Sequence, residues 1–272
     1  MSDREFRFGV VATPQGSSQW RSTALRVAEL GYSTLLMPDG LQLLSPLPSL
    51  AMAASVSNVR VGTFVLAGPL RPARSAAWEA HSMTVLTDGR FELGIGTGRP
   101  AAREFAQELG LPFGSAAERL HDVGQTIDHL RELDGTAHTP VLMAVAGPKA
   151  RALAAAKADI ITLATGPLAT RDEVEQMVAE VHQLAGDRAE HIELAMNLFV
   201  IGEQVPPWTE SFIGADAATL IAHDSLTMLR GDTTQMADEL QRRRDRFGVS
   251  YFSVSAAFYE QLAPVVELLS GR

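Results

Sequence analysis

The sequence predicts an α/β chain folded as one (β/α)8 barrel, and three observations predict it. Eight apolar strand candidates alternate with helical segments along the chain. The internal candidates are apolar throughout, as strands of a parallel sheet covered on both faces must be. At 272 residues the chain has the length of one such barrel, and no linker or low-complexity stretch divides residues 1–272. An open doubly wound sheet is the alternative.

The elements follow in order. Phe6 to Ala12 reads as the first strand, with Thr13 to Ser18 as its exit loop. Trp20 to Leu30 has helical spacing, and Gly31 supplies the stop. Ser33 to Met37 is a short buried strand ended by Pro38, Asp39 and Gly40, so Asp39 lies just past a strand's carboxyl end. An Ala-rich helix, Leu47 to Ser57, precedes the strand Val59 to Leu66; a helix from Ala73 to Leu86 follows.

Asp88 and Gly89 then make a turn, because both tolerate positive φ. Arg90 to Ile95 alternates, with Phe91, Leu93 and Ile95 on one face and Arg90, Glu92 and Gly94 on the other. Gly96, Thr97 and Gly98 close that strand, and helices are predicted at 101–109 and 116–133. Pro140 to Ala146 is an apolar strand, and Gly147, Pro148 and Lys149 turn it into the helix 150–157. Ile160 to Ala164 is the next strand, leaving through Thr165 and Gly166. Thr170 to Glu173 is a capping box opening the helix 170–185. The strand His191 to Ile201, a loop over 203–214, helices at 215–222 and 233–247, the strand 250–256 and the helix 259–269 complete the reading.

Composition narrows the function. A net charge of -9 argues against a nucleic-acid partner, and the absence of cysteine excludes disulfides and thiolate chemistry. No apolar run is long enough to span a bilayer and no secretory leader is visible, so a cytoplasmic protein without a membrane partner is expected. The seven histidines show no metal-binding spacing, so no metal is expected. The predicted strand ends hold no histidine, no Schiff-base lysine and no carboxylate pair. Asp39 is the lone carboxylate there, readable as a turn former or as a functional group. Two Gly-containing exits, Gly96–Gly98 and Gly147–Lys149, each feed a helix, where backbone amides and the helix dipole favour an anion. A barrel poor in reactive side chains but able to hold a phosphate points to a cofactor that carries the reaction.

Several stretches resemble the luciferase-like monooxygenase superfamily, in its deazaflavin (coenzyme F-420)-dependent oxidoreductase branch. They are Gly31 to Asp39, Val59 to Thr63, Pro69 to Pro72, Leu86 to Gly98, Glu104-Phe105 with Gly110, Gly147-Pro148 with Ala158-Asp159, and Leu240 to Phe252. The resemblance implies a TIM barrel of the bacterial luciferase-like type, with a shortened lid region before residue 140. It implies a deazaflavin, or alternatively FMN, across the mouth, with its phosphate against Thr97, Gly98, Gly147 and Pro148, and with Gly96, Ala146, Lys149 and Thr165 as further cofactor-binding residues. Val65, Leu66 and Ala67 match a third-strand bulge that buttresses the ring and often holds a non-prolyl cis peptide; Asp39 matches a polar group facing the ring. Two catalytic roles do not carry over: where relatives place a histidine after the second-strand Asp this chain has Gly40, and where some place an acid after Gly-Thr-Gly it has Arg99. Asp39 and Gln42 are left as the nearest proton-handling candidates.

The activity implied is hydride transfer between the deazaflavin and a small organic substrate. An FMN-dependent monooxygenase and a non-catalytic flavin-binding barrel are the alternatives. Relatives pair through their early helices, which implies a homodimer, with ordinary core packing as the other explanation of the Ala-rich helix 47–57.

Overall fold

Residues 4–272 are described by a computed structural model. The barrel staves are β1 (Arg7–Val11), β2 (Thr34–Met37), β3 (Arg60–Thr63) continued by β4 (Leu66–Ala67), β5 (Phe91–Gly96), β6 (Val141–Val145), β7 (Ile160–Leu163), β8 (Glu193–Leu198) and β11 (Val249–Ser255). All neighbours pair in parallel, and β3 returns to β5, which closes the eight staves into a (β/α)8 barrel. The helices between them are α1 (Ser17–Glu29), α2 (Pro46–Val56), α3 (Ala73–Leu86), α4 (Ala102–Glu108), α5 (Ala116–Asp134), α6 (Pro148–Lys157), α7 (Arg171–Ala185), α8 (Pro207–Ile213), α9 (Ala217–Ala222), α10 (Thr233–Phe247) and α11 (Tyr259–Leu269).

Strand alternation sorts the core into two layers. Phe8, Val10, Leu35, Phe91, Leu93, Ile95 and Phe252 point outward and join the helices' apolar faces in one large cluster. Leu36, Leu142, Ile160, Ala195 and Tyr251 fill the barrel itself, with Val11, Phe64 and Val65 packed against them. The apolar face read from Phe91, Leu93 and Ile95 is therefore the outer one, and Glu92 and Gly94 occupy the interior.

Local signals place most helix starts. The capping boxes at Ser115/Glu118, Thr170/Glu173 and Asp232/Gln235 are all formed. Three expectations change. The third strand is not continuous, because it breaks between β3 and β4 at a cis peptide joining Phe64 and Val65. The strand expected over 191–201 ends at Leu198; β9 (Val200–Ile201) leaves the barrel to pair with β10 (Met228–Leu229). The loop expected over 203–214 contains α8, started by Pro207 and stopped by the left-handed Gly214.

Candidate active site

The break between β3 and β4 is held by charge. The Asp39 side chain, only 5% exposed, receives a hydrogen bond from Arg71 Nη1 at 2.7 Å and one from the Ala67 backbone N–H at 3.0 Å on the same oxygen. Arg71 Nη2 reaches the other oxygen at 3.3 Å, and Arg71 Nε lies 3.5 Å from Glu79. Asp39 thus ties the end of β2 to the start of β4, with both its oxygens engaged. This pairing was absent from the sequence reading, although Arg71 stands in the Pro69–Pro72 segment singled out there.

Below the break, backbones meet closely. Thr63 Oγ1 donates to the Gly94 carbonyl at 2.6 Å, and a Cβ on Gly94 would come 1.9 Å from the Thr63 carbonyl oxygen. One on Gly96 would meet Val65 Cγ2 at 3.0 Å. Glycine here is a condition of closing the barrel. Val65 packs against the interior layer, and the side chains of its two neighbours lie elsewhere. Leu66 is 1% exposed and belongs to the outer core, and the Ala67 side chain packs with Leu70 and Ala106. Both offer the mouth only backbone.

The two exits differ: the one after β5 is closely packed at its glycines, and the one after β6 leaves open backbone. Gly98 has φ +80, a left-handed conformation suited to glycine, and Thr97 and Gly98 are half-buried. The Thr97 carbonyl accepts from Arg119 Nε at 3.0 Å. Arg119 and Arg103 lie 4.1 and 4.9 Å from the centre of the Phe113 ring, so two guanidinium groups stand beside this exit. Both were missed, because a charged residue in a helical segment carries no signal of what it faces. After β6, Ala146 and Gly147 are exposed, no atom lies within 4 Å of a Cβ built on Gly147, and α6 begins at Pro148 without a side-chain cap. Lys149, the residue after Pro148, is exposed and also lines a cleft between α5 and α6.

The rest of the mouth is quiet. Ser253 Oγ donates to Asn197 Oδ1 at 2.6 Å, Thr165 is half-buried, and exposed Gln42 lays its amide over Gly40. Arg99 stacks over Phe212 of α8 at 4.5 Å. Among the described residues no cluster of three metal-ligating side chains occurs, and no helix is long and apolar enough to cross a membrane.

The charged cluster sits at the opposite, amino-terminal end. Arg7 bonds Glu92 at 2.6 Å and Glu193 at 2.6 Å, and Arg60 Nε shares the same Glu92 oxygen at 2.9 Å. Burial alone would disfavour the Arg7 charge, but Glu92, Tyr251 and Glu193 more than offset it and hold its pKa above the ordinary value. Burial also pushes the Tyr251 phenol up, with the Arg7 guanidinium 3.7 Å from its ring centre. A charge network at this end of a barrel is a stability feature.

A closed parallel barrel with an interrupted third stave and two Gly-containing exits at its mouth places the chain among the (β/α)8 barrels. Residues 7–204 match the luciferase-like monooxygenase family, and the chain belongs to it. Solved structures similar to it include the coenzyme F420-dependent tetrahydromethanopterin reductase from Methanopyrus kandleri, at 16% identity and TM-score 0.73, covering 98% of this chain and 99% of that one. An F420-dependent secondary alcohol dehydrogenase matches at 14% identity and TM-score 0.75, covering 97% and 98%. A long-chain alkane monooxygenase matches at 12% identity and TM-score 0.77, covering 98% and 91%. No curated protein matches the chain.

Proposed function

We propose that the chain is an oxidoreductase that passes a hydride between bound deazaflavin coenzyme F-420 and a small organic substrate. The observation carrying this reading is a mouth that, among the described residues, offers backbone and orientation with Asp39 engaged by Arg71 and Ser253 by Asn197, which suits chemistry carried by a bound group. The residues present fit such a group. Gly147 and Pro148, with Ala146 beside them, offer a phosphate open backbone at the uncapped start of α6, and Gly96, Thr97, Gly98 and Thr165 border it in this reading. Val65 and the backbone of Leu66 and Ala67 offer a ring a wall that Asp39 and Arg71 hold in place. A bound deazaflavin supplies a carbon that accepts or gives a hydride. The choice of deazaflavin over FMN rests on the stretches quoted from Gly31 to Gly98, and two F420-dependent enzymes among the similar structures support it.

In this reading Asp39 works as a positioning residue, since Arg71 and the Ala67 N–H already engage both its oxygens. Fluorescence titrations with F-420 and with FMN test the cofactor, and tighter F-420 binding is expected. Tighter FMN binding would move the chain to the monooxygenase alternative, and binding of neither to a non-catalytic barrel. Asp39→Asn, which retains an acceptor for Ala67, is expected to keep most turnover, whereas Asp39→Ala loses cofactor affinity at least tenfold. Equal loss of turnover in both, at unchanged affinity, would make Asp39 a proton carrier instead.

We further propose a cytoplasmic homodimer. On α3, Trp78 is 63%, Val85 59% and Leu86 75% exposed, an apolar face beside α2 that suits a second copy. Trp78→Arg is expected to convert a dimer into monomer in light scattering; a wild-type monomer at micromolar concentration would rule the face out.

A further inference from the structure

A cleft of about 430 Å³ opens on the outer side of the barrel between α5 and α6. It is lined by helix residues alone and belongs to neither strand exit. Its volume falls within the range of small-molecule sites. Leu120 and Leu153, both half-buried, make its apolar walls, and Lys149 and His121 stand at its edge.

Two features distinguish this cleft from an ordinary gap between neighbouring helices. The first is charge. The chain has 21 arginines and only two lysines, Lys149 and Lys157, and both line the cleft. Lys157 is paired with Asp128, whereas Lys149 and His121 have no hydrogen bond or ion pair among the described residues. Arg151, the next cation on α6, is turned away to Glu180 of α7 at 2.7 Å. A cation is thus left facing the cleft in a chain of net charge -9.

The second feature is Gly124. It lies in the interior of α5, where glycine is a poorer helix former than alanine. Packing does not demand it: the nearest atom to a Cβ built there is Leu153 Cδ1 at 3.4 Å, an ordinary contact, and the backbone is ordinary helix. What glycine does at this position is keep the floor of the cleft low between Leu120 and Leu153.

We propose that this cleft is a second binding site, for a small amphipathic anion whose carboxylate or phosphate head meets Lys149 and whose short apolar body lies over Gly124 between Leu120 and Leu153. A head of either kind satisfies the ammonium group as a point charge. The site is separate from the barrel mouth, and the inference stands whichever cofactor the mouth takes.

Isothermal titration calorimetry of the intact protein with octanoate and with octyl phosphate tests it. Saturable one-to-one binding of at least one probe is expected, and the tighter probe identifies the head group. Lys149→Glu should weaken it at least tenfold. Gly124→Ala should weaken it severalfold while raising the melting temperature, which separates a filled site from a damaged fold. Gly124→Ala should leave the F-420 titration unaltered. Absence of saturable binding to the wild type, binding that survives both substitutions, or displacement of the probe by F-420 would overturn the proposal.

Discussion

Gly94→Ala is expected to cost the barrel about 3 kcal/mol or more. Alanine's Cβ would stand 1.9 Å from the carbonyl oxygen of Thr63, a backbone atom that no rotamer can move aside. Relief requires β3 and β5 to part. That would break the bond from Thr63 Oγ1 to the Gly94 carbonyl and displace Val65, whose methyl already lies against Gly96 and Gly94. Loss of stability and of cofactor binding should therefore come together. Gly166→Ala is the control, since no atom lies within 4 Å of its Cβ position and its φ is not positive; a change within about 1 kcal/mol is expected there. Urea denaturation measures both. A Gly94→Ala protein as stable as the control would show that the two strands do not meet as described.

Glu92→Ala is expected to destabilise the protein by about 2 to 3 kcal/mol, because it removes the buried carboxylate that two partly exposed arginines share. Glu92 is 2% exposed, and one of its oxygens is shared by Arg7 at 2.6 Å and Arg60 at 2.9 Å. Among the described residues, removing it leaves Glu193 as the remaining carboxylate partner of Arg7 and leaves the Arg60 guanidinium without a salt bridge. Glu92→Gln, which keeps the volume and an acceptor oxygen, should cost less than Glu92→Ala, with the difference read as separate melting temperatures. A Glu92→Ala protein within about 1 kcal/mol of wild type would mean the network is dispensable.

These two residues show what could be read from the chain and what could not. The stretch from Asp88 to Gly98 was legible as a turn, a strand and a Gly-lined exit, since turn chemistry and alternation are local properties. Which face of it looked inward was not. In a surface strand the apolar face is the buried one, but a barrel stave is buried on both, so Glu92 could be read as a polar outer face while in fact facing the interior at the barrel's amino-terminal end. The same limit applies to Asp39. Its place past a strand end was visible, but Arg71, 32 residues later, was needed to show that its oxygens were already engaged. Lys149 likewise followed a Gly-Pro exit in sequence, and only the packing of α6 beside α5 showed that it also lines the cleft between them.

By itself the sequence determined the strand and helix alternation, the capped helix starts, the Gly-lined exits and the poverty of reactive groups at the strand ends. Each depends on residue type and short spacing, which act within a few residues along the chain. Only the tertiary structure decided which charges meet, since the Arg7–Glu92 and Asp39–Arg71 pairs join residues 85 and 32 positions apart. Closure of eight staves brings those residues together, and no local rule carries information over that distance. The loop from Asp88 to Gly98 contains both kinds of information: its turn and exit are local, and the glycine at 94 is required by a strand that comes before it in the chain.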